Sequence, residues 1–160
     1  MIEKIYLDMD GVLCDFDMRF EQVFGIKSKS VPGRMTESVY WESFVTQKQF
    51  ERLDWYPGGE TLLDYIEALD IPYEILSSSA TPTHFDEIAR QKTLWLGDRG
   101  INVPVNIVPG KRFKKTYATP ASLLIDDIDK NVFGFIEAGG HSILHRNIED
   151  TIDQLKKLGL

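Results

Sequence analysis

Short apolar runs that alternate with helical patterns constrain the fold of this chain most. Five runs are short enough to be buried strands, the last more weakly than the others: residues 2–7, 73–76, 103–108, 122–125 and 142–144. Helical patterns separate the later runs. One begins with Thr81 as N-cap and Pro82 at the first helical position and reaches Gly97, a second covers residues 127–138, and a third begins at Asn147. This order predicts an α/β fold, a Rossmann-like parallel sheet with helices on both faces.

The interval between the first two apolar runs is too long for one crossover helix. It spans about 65 residues, whereas a plain βαβ unit takes about 30. The surplus has helical patterns of its own, so we expect a small helical cap inserted directly after the first strand. The expected division is an α/β core at residues 1–16 and 56–160, with the cap at residues 17–55. Ligands of such sheets bind beyond the carboxyl ends of the strands, where this cap would lie.

Charge and composition exclude several classes of protein. The 160 residues carry a formal charge of −7, which disfavours binding to long nucleic acids or to anionic membranes. The single cysteine, Cys14, excludes an internal disulfide and a multi-cysteine metal site. The first residues have no signal-peptide core and no apolar stretch is long enough to span a bilayer. We therefore expect a cytoplasmic protein that acts on a small molecule.

Two pairs of carboxylates follow apolar runs. Asp8 and Asp10 stand two apart at the end of the first run, on one side of an extended chain, and Gly11 allows a sharp turn after them. One such carboxylate can act as nucleophile while its neighbour transfers a proton. Asp126 and Asp127 end the fourth run. Acids gathered at one sheet edge repel each other unless a cation lies among them, and oxygen ligands with an anionic substrate favour Mg²⁺.

Hydroxyl and basic residues follow the second and third runs. Ser77, Ser78 and Ser79 could bind phosphate oxygens, or could simply form a polar loop. Residues 92–115 contain six basic residues and one acidic residue, so this segment is +5 and the rest of the chain −12. One of its lysines could neutralise phosphate charge, although such runs are usually solvated. His141 and His145 we interpret as structural or solvent-facing.

These features, in this order, resemble the haloacid dehalogenase superfamily of phosphatases and phosphotransferases. The segment from Asp8 to Phe16 is similar to the first motif of the 5′(3′)-deoxyribonucleotidases within it. The similarity continues through most of the chain, to about residue 146, in the segments at residues 40–43, 55–58, 75–79 and 123–127.

The resemblance implies a Mg²⁺-dependent hydrolysis of deoxynucleoside monophosphates. Asp8 would form an aspartyl-phosphate, Asp10 would protonate the leaving oxygen and then activate water, and Ser78 would bind phosphate. The metal would lie between Asp127, the Asp8 carboxylate and the Asp10 backbone carbonyl, with Asp126 close by. Lys115 is the expected charge-neutralising lysine by its spacing before the double aspartate; Lys111 and Lys114 are alternatives.

The expected cap contains many aromatic residues. Residues 15–58 hold nine of the 18 aromatic residues, and most of them should form the core of the cap. Phe16, Trp41 and Phe50 match positions that line the base and sugar pocket of the nucleotidases that the chain resembles. We therefore expect these three, with Ser79, to bind the substrate.

Two alternatives remain open at this point. The same chemistry could serve a sugar phosphate, another small ester or the phosphorylated end of a polynucleotide. A non-enzymatic phospho-acceptor domain of the receiver type also combines acids, a hydroxyl and a lysine on a parallel sheet. Receivers, however, place the lysine last and lack an insert after the first strand.

Overall fold

Five apolar segments form one parallel sheet. In the computed structural model, which describes residues 1–160, they are β1 (Lys4–Leu7), β2 (Tyr73–Ser78), β3 (Val105–Val108), β4 (Ser122–Asp126) and β5 (His141–Leu144). Their order across the sheet is β3-β2-β1-β4-β5, and every neighbouring pair is parallel. The predicted α/β class and all five strands are confirmed, with ends that differ by up to two residues.

The strand order explains why the two acidic motifs meet. β1 and β4 are neighbours at the centre of the sheet, in a register that pairs Leu7 with Ile125. All five residues of β4 are buried, and in β1 the buried Ile5 and Leu7 alternate with half-buried Lys4 and Tyr6. Because parallel strands end at the same edge, the carboxylates that follow Leu7 and Ile125 are brought together.

Six α-helices surround the sheet. They are α1 (Phe16–Phe24), α2 (Val39–Thr46), α3 (Gly59–Glu67), α4 (Phe85–Asp98), α5 (Asp129–Glu137) and α6 (Ile148–Lys157). The prediction that Asn147 begins the last helix is confirmed, because its Oδ1 accepts a hydrogen bond from the Asp150 backbone N–H at 2.9 Å. No helix is both long enough and apolar enough to cross a bilayer.

The predicted start of α4 is wrong. The helix begins at Phe85 rather than after Thr81, and His84 precedes it with φ +60°. Thr81 instead takes part in a turn in which its carbonyl accepts a hydrogen bond from the Ser79 hydroxyl at 2.7 Å. The Thr81 hydroxyl accepts the Thr83 N–H at 3.3 Å, so the predicted capping group serves the loop that leaves β2 instead of the helix.

The insert, which we define as residues 17–55, is a set of short helical segments. Besides α1 and α2 it has 3₁₀ turns at Ser28–Ser30, Met35–Glu37 and Gln49–Arg52. Its buried apolar residues belong to the same continuous core as those of β1 and β2. Gln91 of α4 fixes it further, by hydrogen bonds to the Val45 carbonyl and the Phe50 N–H at 2.8 and 3.1 Å. The division of the chain into core and cap stays a prediction.

Candidate active site

The end of β1 presents a buried carboxylate with one engaged oxygen. Asp8 is 5% exposed, and its Oδ1 accepts the Met9 backbone N–H at 2.8 Å. The same oxygen lies 2.8 Å from the Lys114 ammonium, which leaves Oδ2 free at the edge of a cavity. Gly11 has φ +80°, and a Cβ there would overlap the Asp127 carboxylate. The turn predicted at Gly11 is therefore also what lets the two acidic loops approach each other.

The end of β4 supplies one anchored and one unsatisfied carboxylate. Asp126 is fully buried; Oδ2 accepts from Lys114 at 2.7 Å, Oδ1 accepts from the Ile128 N–H at 2.9 Å, and the Asn131 amide bonds both oxygens. In contrast, Oδ1 of Asp127 is buried without a hydrogen-bond partner. Asp126 therefore holds the site together, whereas Asp127 has an oxygen available for a ligand.

Lys114 is the cation between the two strands. It is 2% exposed and bridges Asp8 and Asp126. Burial by itself lowers the pKa of an ammonium, but these two carboxylates outweigh burial and raise the pKa of Lys114. The side chain is therefore charged at neutral pH and balances part of the acidic cluster.

The choice of Lys115 as this lysine is wrong. Lys115 is exposed and does not line the cavity that Asp8 lines. Residues 111–117 form a 3₁₀ segment, so neighbouring side chains point to different sides and only Lys114 turns inward. Spacing along the chain could not distinguish adjacent lysines, and of the two alternatives the structure selects Lys114 over Lys111, which lies exposed at the cavity's rim.

The carboxylates fit a divalent cation. Asp8, Asp126 and Asp127 each offer an oxygen within 4.8 Å of the others, and Lys114 is the one buried lysine that pairs with any of these three. Burial raises the pKa of Asp8 well above its usual range, and the Asp126 charge adds to the rise. Burial followed by the Asp126 charge raises the pKa of Asp127 to about 6. Uncompensated charge, a free Asp127 oxygen and an all-oxygen donor set are what a hard cation such as Mg²⁺ requires.

A second buried lysine holds Asp10, and sequence analysis did not single it out. Lys92 of α4 is 1% exposed; its ammonium donates to Asp10 Oδ2 at 2.7 Å, to the Ser77 hydroxyl at 2.8 Å and to the Ser78 carbonyl at 3.0 Å. The available signal was a lysine on the apolar face of a helix, between Ile88 and Trp95. Asp10 itself lines the cavity.

The remaining expected site residues divide into two groups. Ser78 and Phe16 line the cavity, as expected. Ser79, Trp41 and Phe50 do not line it, and all three are buried. The Ser79 hydroxyl donates to the Thr81 and Val108 carbonyls. The assignment of Ser79, Trp41 and Phe50 to substrate binding is corrected accordingly.

The two buried rings belong to an aromatic cluster. Phe50 stacks on Phe16 with centroids 5.8 Å apart, and Trp41 meets Phe50 edge-on at 5.6 Å. These rings support Phe16, which alone of the three lines the cavity. Mutual packing of aromatic rings is a core function rather than a ligand contact.

The cavity has a volume of about 650 Å³, within the range of small-molecule sites. Its wall also includes Tyr56, His145 and Arg146. The imidazole of His145 is buried, with Nδ1 2.7 Å from the Thr151 hydroxyl and Nε2 unpartnered. His141 is exposed, as interpreted, whereas His145 combines a structural hydrogen bond with a place in the cavity wall.

Comparisons with solved structures identify the fold. A hydrolase from Pseudomonas syringae is similar over 97% of this chain and 98% of its own, with a TM-score of 0.62 and 12% identity. A hydrolase from Streptococcus pneumoniae covers 99% of both chains, with a TM-score of 0.57 and 14% identity. The L-2-haloacid dehalogenase of Xanthobacter autotrophicus, with chloropropionic acid covalently bound, covers 98% of this chain and 83% of its own, with a TM-score of 0.54 and 14% identity.

No family model and no curated protein matches the sequence. The solved structures therefore show a shared fold over nearly the whole chain. Membership of the haloacid dehalogenase superfamily stays a prediction from the sequence motifs.

Proposed function

We propose that this protein is a Mg²⁺-dependent phosphoric monoester hydrolase that acts on deoxynucleoside monophosphates through an aspartyl-phosphate. The observation that carries the proposal is the joint position of Asp8, Asp127 and Lys114 at the floor of one open cavity. A carboxylate and a phosphate ester are both anionic, so they repel each other. Attack by Asp8 therefore requires positive charge nearby, which Lys114 and a metal bound by the carboxylates would supply.

In the proposed reaction the two carboxylates that follow β1 have separate roles. Oδ2 of Asp8, the oxygen without a hydrogen-bond partner, forms a bond to phosphorus while the ester oxygen leaves. Asp10 protonates that oxygen and then takes a proton from the water that hydrolyses the aspartyl-phosphate, which regenerates Asp8. The Lys92 ammonium, 2.7 Å from Asp10 Oδ2, would hold the Asp10 side chain in position for both proton transfers.

The metal ligands would be Asp127 and Asp8, with the Asp10 backbone carbonyl, which accepts no backbone hydrogen bond in the structure. When bound, the metal supplies neutralisation of phosphate charge in the transition state. Lys114 provides the permanent part of the same neutralisation, and Ser78 lies at the neighbouring strand end for a phosphate oxygen.

A nucleoside fits the rest of the cavity. Phe16 and Tyr56 are the aromatic side chains of its wall. Stacking of a base on an aromatic ring contributes about 1–3 kcal/mol and tolerates several bases. The insert contributes Asp17 and Lys29 to the cavity lining, and we expect it to exclude a long polymer.

The test is a phosphate-release screen with Mg²⁺ over nucleoside monophosphates, sugar phosphates and 3′-phosphorylated oligonucleotides. We expect thymidylate to exceed the sugar phosphates, a chelator to abolish release, and Asp8→Asn to be inactive. Asp98→Asn, an exposed acid at the end of α4, is the matched control and should retain activity. Release by Asp8→Asn would reject the nucleophile, and a preference for sugar phosphates or oligonucleotides would reject the nucleotide assignment.

The second candidate is dehalogenation of a 2-haloacid, which the Xanthobacter structure favours because the same fold carries a covalently bound chloropropionic acid there. Halide release from L-2-chloropropionate measures it directly. We expect none, because attack on a haloalkanoate carbon does not require the metal-ligand carboxylates that surround Asp8. Chelator-insensitive halide release would instead establish this second function.

A further inference from the structure

A second cavity, smaller than the first, adjoins the candidate active site. It encloses about 200 Å³ and is lined by residues of the 3₁₀ segment at 111–117 and of α5. We call it the basic groove and define it by Lys111, Arg112, Lys115, Lys130, Asn131 and Gly134.

The basic groove concentrates unpaired positive charge. Four of its six lining residues are cationic and none is acidic. All four are exposed, and none of them is among the cations that form an ion pair in this structure. In a chain with 25 acidic and 18 basic residues, four neighbouring cations without a carboxylate partner repel one another. A bound polyanion would remove that repulsion.

The groove and the active-site cavity share a wall. Lys111 and Asn131 line both. The Asn131 side chain is held in this wall by its amide, which donates to both oxygens of Asp126 at 3.0 and 3.1 Å. Lys114 reaches the Asp8 carboxylate from the same 3₁₀ segment whose Lys115 lines the groove. The two cavities are therefore direct neighbours, with Lys111 and Asn131 between them.

Space is available at the floor of the groove. Gly134 lies there, and a Cβ built on it would meet no atom within 4 Å. A phosphate carries about two negative charges and several acceptor oxygens, which suits several converging cations better than a single carboxylate does.

We propose that the basic groove is a second phosphate subsite, so that the preferred substrates are nucleoside bisphosphates rather than monophosphates. This inference rests on the proposed function, since one phosphate must occupy the site at Asp8. The second phosphate is part of the substrate; it is not hydrolysed but increases the affinity.

The experiment measures binding separately from turnover. Calorimetry on the Asp8→Asn protein with Mg²⁺ compares thymidine 3′,5′-bisphosphate with thymidylate at low salt. We expect the bisphosphate to bind about tenfold more tightly, and the advantage to shrink as salt increases. In the Lys115→Ala/Lys130→Ala background the advantage should fall below about twofold. Lys156→Ala/Lys157→Ala, which removes two exposed lysines of α6, is the matched control and should keep it.

Two results would overturn the subsite. One is equal affinity for the two ligands in the parent protein, and the other is an advantage that survives the groove substitutions. A separate titration tests whether the groove binds free phosphate instead of a phosphate carried by the substrate. Inorganic phosphate is added together with thymidylate. A tenfold gain in thymidylate affinity would show that the groove binds a separate phosphate and would reject the proposed subsite.

Failure of the inference and failure of the proposed function give different results. If the native protein releases phosphate from thymidylate but shows no preference for the bisphosphate, the subsite fails alone. If the bisphosphate binds more tightly through the groove lysines but no phosphate is released from any ester, the proposed function fails and the binding site stands.

Discussion

The carboxyl edge of the sheet and the insert at residues 17–55 are both buried, but by opposite means. At the sheet edge Lys114 lies between Asp8 and Asp126, and Lys92 bonds Asp10 at 2.7 Å. In the insert, aromatic rings pack on one another and on Phe16, and the Phe44 ring lies 4.9 Å, between centroids, from both Phe16 and Phe50. In this chain buried ion pairs mark the candidate active site, whereas clustered aromatic residues mark packing.

We expect the largest effect at Asp8, where a substitution should abolish turnover without unfolding the protein. Asp8→Asn removes the attacking oxygen, so turnover should fall by at least about 10³-fold. The fold should persist, because Asn is close in size and the Met9 N–H can still be accepted. Phosphate release and thermal unfolding measured on the same preparation check this. A folded variant with more than a tenth of the native rate would contradict it.

Two adjacent lysines of the 3₁₀ segment should differ in their effect on stability, because Lys114 is buried and Lys115 is exposed. Lys114→Met leaves two buried carboxylates without their cation and should reduce the free energy of unfolding by about 3–5 kcal/mol. Lys115→Met, its matched control, should change stability by less than about 0.5 kcal/mol. Urea unfolding of both variants measures the difference. Equal effects would mean that Lys114 is not the buried partner of Asp8.

Two phenylalanines of the aromatic cluster are expected to differ in role, with Phe50 packing in the core and Phe16 contacting the substrate. Phe50 is 1% exposed, so Phe50→Ala should cost about 3–5 kcal/mol of unfolding free energy. Phe16 lines the cavity, and Phe16→Ala should cost only about 1–2 kcal/mol but raise the KM for thymidylate more than Phe50→Leu does. Steady-state kinetics with urea unfolding separates the two roles. A larger KM change for Phe50→Leu would place that ring in the substrate site after all.

The smallest expected effect concerns His145, a neutral buried side chain next to the charged edge. Burial lowers its pKa, so the unfolded chain binds a proton more readily than the folded one. The associated stability is present above the unfolded value of 6.5 and is lost as the pH falls through the lower folded pKa. In His145→Gln, stability should fall less steeply over that range. Thermal unfolding between pH 7.5 and 5 tests this, and an unchanged slope would contradict it.

Local signals in the sequence were sufficient to predict the five strands and the acidic residues at the carboxyl ends of β1 and β4. Apolar runs followed by Asp8 and by Asp126 predict buried parallel strands whose acids meet, since the edge of a parallel sheet is common to all its strands. Gly11 after the first pair also follows from local chemistry. The structure confirms these because each depends on residues within one short segment and on a general rule of topology.

Other features depended on contacts between distant segments. Lys92 and Asp10 are 82 residues apart, and no local pattern in either segment predicts that they pair. The choice between Lys114 and Lys115 depends on how a 3₁₀ turn packs against α5, and the burial of Trp41 and Phe50 depends on how the insert packs on α4.

The sequence by itself determined the fold class and the acidic pairs, because burial patterns and strand-end residues are local properties of the chain. Only the tertiary structure decided which lysines neutralise those acids, which aromatic ring faces the cavity, and that four cations form a groove beside it. The physical reason is that charge balance and cavity walls are set by side chains brought together from separate elements, and spacing along the chain does not encode their directions.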